Sequence, residues 1–206
     1  MPQHHRCDRR PSPAARSIGF APFALAERTA EVVDVQTRAN LPSPHERDLR
    51  ARLIAERAQN PAVRAVGAFR EERLVGFAFG APLDPGWWWA DEVLLQVRSH
   101  AELALRDEPF VVLELHVLPG LQRLGLGTSL MERLCGSSTQ PWALLTRKSS
   151  AVEAGRFYTS LGFADVPGPG MAGGRFRAMV SALPLAPGSV RRAGRGGAVL
   201  PAVTGR

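Results

Sequence analysis

The chain has 206 residues, enough for one domain with a sizeable core, and its 45% apolar and 22% charged residues exclude a wholly disordered protein. A formal charge of +7 would suggest nucleic acid if it lay on the fold, but Arg6, Arg9, Arg10 and Arg16 against Asp8 contribute +3 before residue 19, and Arg191, Arg192, Arg195 and Arg206 contribute +4 after residue 186. Residues 19–186 are therefore neutral overall, so a nucleic-acid partner is not expected. No apolar run approaches the ~20 residues of a membrane span, so no membrane partner is expected either.

Cys7 and Cys135 are too few and too far apart for a disulfide framework or a thiol-rich metal site, and a reducing cytoplasm is the simple reading. The pair His4 and His5 lacks convergent ligands, and no metal is expected. Residues 1–17 are rich in Pro, Arg, His and Ser, and residues 187–206 in Gly, Arg, Ala and Pro; both read as disordered tails around a single domain at 18–186. Ser17 to Ala26 is apolar, follows Arg9 and Arg10, and ends in a cleavage-like Ala-Leu-Ala, but Pro22 and the helical pattern that continues beyond it argue against an export signal.

In chain order, Leu25, Thr29, Val32, Val33 and Gln36 fall near helical spacing and predict an amphipathic helix over 23–39. Ser43-Pro44-His45-Glu46 is a capping box with proline at the first helical position, and Asn60-Pro61 stops the helix it opens. Residues 62–69 and 74–81 read as a hairpin about the charged Arg70 to Arg73, with Val75, Phe77 and Phe79 on one face and Gly76, Ala78 and Gly80 on the other. A long connection, 82–108, carries Trp87-Trp88-Trp89 and a partly helical stretch from Asp91 to Leu105. Then come a strand at 109–118, a helix at about 126–135, a strand at 142–146, a helix at 150–161 opened by the Ser150-x-x-Glu153 capping box, and strands at 163–167 and 175–183. Strands interleaved with helices after a hairpin predict an α/β (α+β) fold, a mixed sheet with helices packed on it.

The chemistry concentrates after the strand that ends at Val117-Leu118-Pro119. A loop reaching Gly125-x-Gly127 opens a helix on Leu126, Leu130 and Leu134, which places unpaired N–H groups at a helix N-terminus, where an anion is favoured. The alternative is a plain strand-turn-helix connection. A Rossmann fingerprint would need glycine where Leu130 stands, and a P-loop would need Gly-Lys-Ser/Thr.

Gln122-x-x-Gly125-x-Gly127 resembles the Q/R-x-x-G-x-G/A pyrophosphate loop of the GNAT superfamily of acetyltransferases. Residues 142–163, closing on Phe157-Tyr158-Thr159-Ser160-Leu161-Gly162-Phe163, are similar to that family's next strand and helix. The resemblance covers residues 110–163 in motif and about 20–185 in element order, with one departure, Ala151 where the family often has asparagine. It implies a mainly antiparallel central sheet flanked by helices and an N-acetyltransferase that uses acetyl-CoA as acyl donor and an amine as acceptor. The pyrophosphate would lie on the amides of Arg123, Leu124, Gly125, Leu126, Gly127 and Thr128 with the Arg123 side chain as partner, and the pantetheine arm would pair with Leu115 and Val117 like an added strand. A homodimer stays open as an assembly, and a catalytically silent acyl-CoA sensor on the same fold stays open as an alternative.

Tyr158, the single tyrosine, would by the same resemblance be the general acid for the departing thiolate, the alternative being a core tyrosine between Phe157 and Leu161. Strand alternation puts Glu114 and His116 on one face, where either would serve as base, directly or through water, or simply pack as polar residues. Trp87, Trp88 and Trp89 would wall an acceptor pocket for an apolar or aromatic amine, or cover the sheet.

Overall fold

A computed structural model of the protein describes residues 18–87, 89–99 and 108–186. Strand β1 (Ile18–Phe23) and a turn of 3-10 helix (Leu25–Arg28) lead into α1 (Thr29–Asn40) and α2 (Pro44–Ala58). The hairpin is β2 (Arg64–Arg70) and β3 (Arg73–Pro82), followed by α3 (Ala90–Ser99), β4 (Phe110–Val117), α4 (Leu126–Gly136), β5 (Trp142–Lys148), α5 (Val152–Ser160), β6 (Ala164–Asp165) and β7 (Phe176–Ala182). The strands form one seven-stranded sheet in the order β1-β2-β3-β4-β5-β7-β6, antiparallel except where β4 meets β5. This is the mixed, mainly antiparallel sheet flanked by helices that the sequence predicts.

Two local readings are corrected. The segment 18–23 is a strand at the sheet edge, and α1 begins at Thr29 rather than 23, after the 3-10 turn. Gly19, Ala21 and Pro22 interrupt the strand formers Ile18, Phe20 and Phe23, and six pairings with β2 supply what propensity does not. On β3, Val75 does not share a face with Phe77 and Phe79. The register steps from Ala68↔Gly76 to Phe69↔Leu74, so Val75 is an unpaired bulge residue, and it joins Ala78 against α4 while Leu74, Phe77 and Phe79 face α1 and α2.

The sheet is covered on both faces. Val66, Ala68, Val112 and Val117 pack with Leu126, Leu130 and Leu134 of α4. On the opposite face Phe77 and Phe79 pack with Val32 and Val35 of α1 and Ile54 of α2, and Val111 and Leu144 with Val93 and Val97 of α3. Burying each such side chain contributes about 1.5–3 kcal/mol, which fixes the layers against which β4 and its two neighbouring helices are set. The α2 capping box forms as read: Ser43 Oγ accepts from the Glu46 amide, and Glu46 Oε2 accepts from the Ser43 amide at 2.9 Å.

Candidate functional site

The site starts from a strand pair that comes apart. β4 and β5 are paired only through Phe110↔Ala143, Val111↔Leu144 and Val112↔Leu145. Beyond these, Glu114 to Val117 stay with β3, and Thr146 to Lys148 stay with β7, leaving a wedge between the two strands. The cause lies in β4 itself. Its register against β3 steps from Gly80↔Val112 to Phe79↔Glu114, so Leu113 is a bulge, and a bulged strand bends away from its neighbour. The Leu118 amide bonds to the Val75 carbonyl on β3, so by alternation the backbone groups of Leu115 and Val117 point into the wedge. Those are the two residues expected to carry an extended ligand.

The loop after β4 exposes a row of backbone amides. Arg123 (φ 63°) and Gly125 (φ 82°) are both left-handed, and Gly125 is the N-cap of α4. A glycine N-cap has no side chain to turn back onto the first-turn amides, so those of Leu126, Gly127 and Thr128 are left to external partners. The amides of Arg123, Leu124 and Gly125 likewise make no backbone hydrogen bond among the described residues. Gln122 acts differently from its neighbours: its Nε2 donates to the Val117 carbonyl at 3.0 Å and ties the loop to the end of β4. The Arg123 guanidinium is exposed and reaches Glu153 on α5 at 3.1 Å, and Arg156 holds the other Glu153 oxygen at 2.8 Å. That pair removes the predicted second capping box. Ala151, not Ser150, is the N-cap of α5, and Glu153 points to the two arginines, which hold its carboxyl below the usual carboxylate range.

Tyr158 comes from α5, packed edge-on against Phe157 and Phe163 at 5.2 and 6.0 Å. Its hydroxyl makes no hydrogen bond among the described residues. Burial, and after it the Glu114 carboxylate, push the phenol up to about 12, so it keeps its proton at neutral pH.

On the α1 and α2 face of β4, Glu114 and His116 are brought together. His116 Nε2 lies 2.6 Å from Glu114 Oε2, and both side chains are largely buried. Two residues that sequence reasoning missed complete the group: Arg50 of α2 donates to Glu114 Oε1 at 2.9 Å, and Asn40 of α1 places Nδ2 3.4 Å from His116 Nδ1. Phe77 covers the imidazole, ring centroids 5.4 Å apart. No short-range pattern in the sequence connects positions 40 and 50 with 114 and 116.

Trp87 and Trp89 belong to a different cluster. Trp87 is 7% exposed, tilted against Trp89 with ring centroids 5.2 Å apart and capped by the Arg57 guanidinium at 4.3 Å, within the cluster that holds α3 to the sheet. Trp88 lies outside the described residues. Two surface hollows of about 500 and 530 Å³ lie between α1, the β2–β3 turn and residues 118–121, and neither is lined by Glu114, His116 or Tyr158. Among the described residues no three His, Cys, Asp or Glu side chains converge as a metal site, and no helix is long and apolar enough to cross a membrane.

Comparisons with known proteins agree with this fold. The sequence profile of the acetyltransferase (GNAT) family matches residues 29–163. A GCN5-like protein acetyltransferase of Mycobacterium tuberculosis is 32% identical over 120 residues, 54% of this chain and 58% of that protein, so the match spans less than two thirds of the relative's length. Among solved structures, the PaiA N-acetyltransferase of Thermoplasma acidophilum in complex with coenzyme A superposes with a TM-score of 0.56 at 14% identity, covering 81% of this chain and 99% of that one. The ribosomal-protein-S18-alanine N-acetyltransferase of Escherichia coli does so with a TM-score of 0.55 at 16% identity, covering 84% and 98%. With a wedge opened by a bulged strand, a bare glycine N-cap at its mouth and a family profile spanning both, the chain belongs to the acetyltransferase (GNAT) family.

Proposed function

We propose that the protein is an N-acetyltransferase that moves an acetyl group from acetyl-CoA to a primary amine of a small molecule or peptide. The observation that carries this is the pairing of an unzipped strand edge at Leu115 and Val117 with a run of amides, Arg123 to Thr128, that have no partner among the described residues, at its open end. An unpaired strand edge suits an extended arm bearing amides, and amides at a helix N-terminus suit a diphosphate. Acetyl-CoA offers both and supplies the activated thioester. A relative that is itself a protein acetyltransferase supports the amine acceptor.

In this reading the amine nitrogen attacks the acetyl carbonyl carbon from the α1 and α2 side, the C–S bond breaks, and the proton lost by nitrogen goes to the Glu114–His116 pair. Tyr158 faces the departing sulfur. A phenol at about 12 is a weaker acid than a free thiol at ~8.5, so complete transfer to the thiolate would cost on the order of 5 kcal/mol. Tyr158 therefore acts by hydrogen bonding to the sulfur as its charge develops, a contribution available only in the transition state.

Calorimetric titration with acetyl-CoA, and with an analogue that lacks the diphosphate, tests the cradle. Binding that needs the diphosphate and is lost in Gly125→Glu, where an anionic side chain must adopt the left-handed N-cap, supports the reading. No binding by the unaltered protein would make the loop a structural turn.

A further inference from the structure

The group around His116 has a direction. Glu114 is the short partner of the ring, and Asn40 Nδ2 stands 3.4 Å from Nδ1, where it can donate to the bare nitrogen of a neutral imidazole. Glu114 Oε2, 2.6 Å from Nε2, accepts, so Nε2 carries the hydrogen. Both Glu114 oxygens are already engaged, one by Nε2 and one by Arg50. Of the Glu114 and His116 acceptors, Nδ1 is the one held by only a long contact among the described residues, and Asn40, at the end of α1, is exposed to solvent.

We infer that Arg50 and Asn40 are positioning residues that hold His116 in its Nε2–H tautomer and leave Nδ1 as the atom that receives the amine proton. This rests on the acetyl-transfer reading. As the new N–C bond forms and the C–S bond breaks, the proton moves from the amine nitrogen to Nδ1, displacing the Asn40 contact. The imidazole then carries a hydrogen on each nitrogen, and its positive charge faces the Glu114 carboxylate. Arg50 fixes that carboxylate from the far side, so it cannot turn toward the amine itself. The Glu114 carboxylate also lies near enough to the Tyr158 phenol to oppose its ionisation.

Histidine-labelled protein tests the tautomer without any acceptor. The nitrogen spectrum of His116, assigned by its loss in His116→Gln, should show Nε2 protonated and Nδ1 bare at a pH where the ring is neutral, and Glu114→Leu should mix the two tautomers. A protonated Nδ1 in the unaltered neutral ring overturns the inference.

Turnover, read as thiol release from acetyl-CoA with a panel of alkylamines, lysine peptides and free peptide N-termini, tests the proton step. Asn40→Asp replaces a donor with an acceptor that traps a hydrogen on Nδ1, and should lower kcat about 100-fold, the scale of a lost general base. Asn40→Ala should lose only several-fold, and Arg50→Lys should recover activity that Arg50→Ala loses. Acetyl-CoA affinity, measured by calorimetry, should be equal in all four. Equal losses in the two Asn40 variants would make Asn40 merely structural and overturn the inference alone. Failure of the unaltered protein to bind acetyl-CoA would overturn both the proton step and the transfer reading.

Discussion

The ring of Phe157 rests against the bare face of Gly127: a β-carbon at 127 would stand 3.3 Å from Phe157 Cζ. The second glycine of the loop is therefore a packing position that lets the first turn of α4 close onto α5. Gly127→Ala gains roughly 1 kcal/mol of helix propensity and gives back a comparable amount by pressing on the ring. The denaturant midpoint should change little. Because Phe157 leans on Tyr158, turnover should fall while the affinity for acetyl-CoA holds, as paired chemical denaturation and steady-state kinetics would show.

Tyr158 can be titrated without interference, since the chain has one tyrosine. At pH 10, where an ordinary phenol is half ionised, the tyrosinate absorbance of the folded protein should remain small, rising only toward about 12. Glu114→Gln removes the secondary cause and should bring the midpoint down part of the way. The linked effect on stability has a definite sign: unfolded chain releases this proton near pH 10 and folded protein keeps it to about 12. The stability contribution is thus full below pH 10 and declines as pH rises from there toward 12. A midpoint at the ordinary value would place the hydroxyl in water.

The β2–β3 turn is strained. Arg70 pairs with Arg73 across a two-residue turn whose central residues, Glu71 (φ 49°) and Glu72 (φ 65°), are both left-handed. Such turns favour Asn-Gly, because each ordinary residue in that region costs roughly 1–2 kcal/mol. Replacing Glu71-Glu72 with Asn-Gly should raise stability by about 1 kcal/mol or more, read from the urea midpoint at constant slope.

Trp87 is bound into the α3 cluster, so Trp87→Ala should cost about 3–5 kcal/mol of stability, the usual range for a buried large aromatic. If the residue only packs, the acceptor KM of the surviving folded fraction stays unchanged. A raised acceptor KM with intact acetyl-CoA binding would instead return Trp87 to the pocket.

The parts of the fold that the sequence discloses are those whose signals are local. Ser43-Pro44-x-Glu46 caps α2 because all its partners lie within four residues. The identical logic fails at Ser150-x-x-Glu153, where Arg123, 30 residues away in sequence, and Arg156 take the glutamate, and Ala151 becomes the cap. Period-two reading misplaces Val75 because a bulge adds one residue, and alternation alone gives no sign of one. In the candidate site, Glu114 and His116 are legible as a pair on one strand, and the loop as a row of free amides. Arg50 and Asn40 are not, because α1 and α2 reach β4 only through the folded layers. Nor does the sequence hint that the Gln122 side chain donates to the carbonyl that ends β4.

Among the described residues, three residue pairs make up the whole strand ladder between the four strands β1 to β4 and the three strands β5, β7 and β6. Mechanically the molecule is two plates sharing a short seam, and the gap beyond the seam can widen or narrow without severing any rung of the ladder. Beyond the ladder the two plates are held by the helices packed across them, α4 on one face and α3 on the other. The stiffness of the gap thus resides in side-chain packing, where a single methyl group is felt, and not in the backbone that lines it.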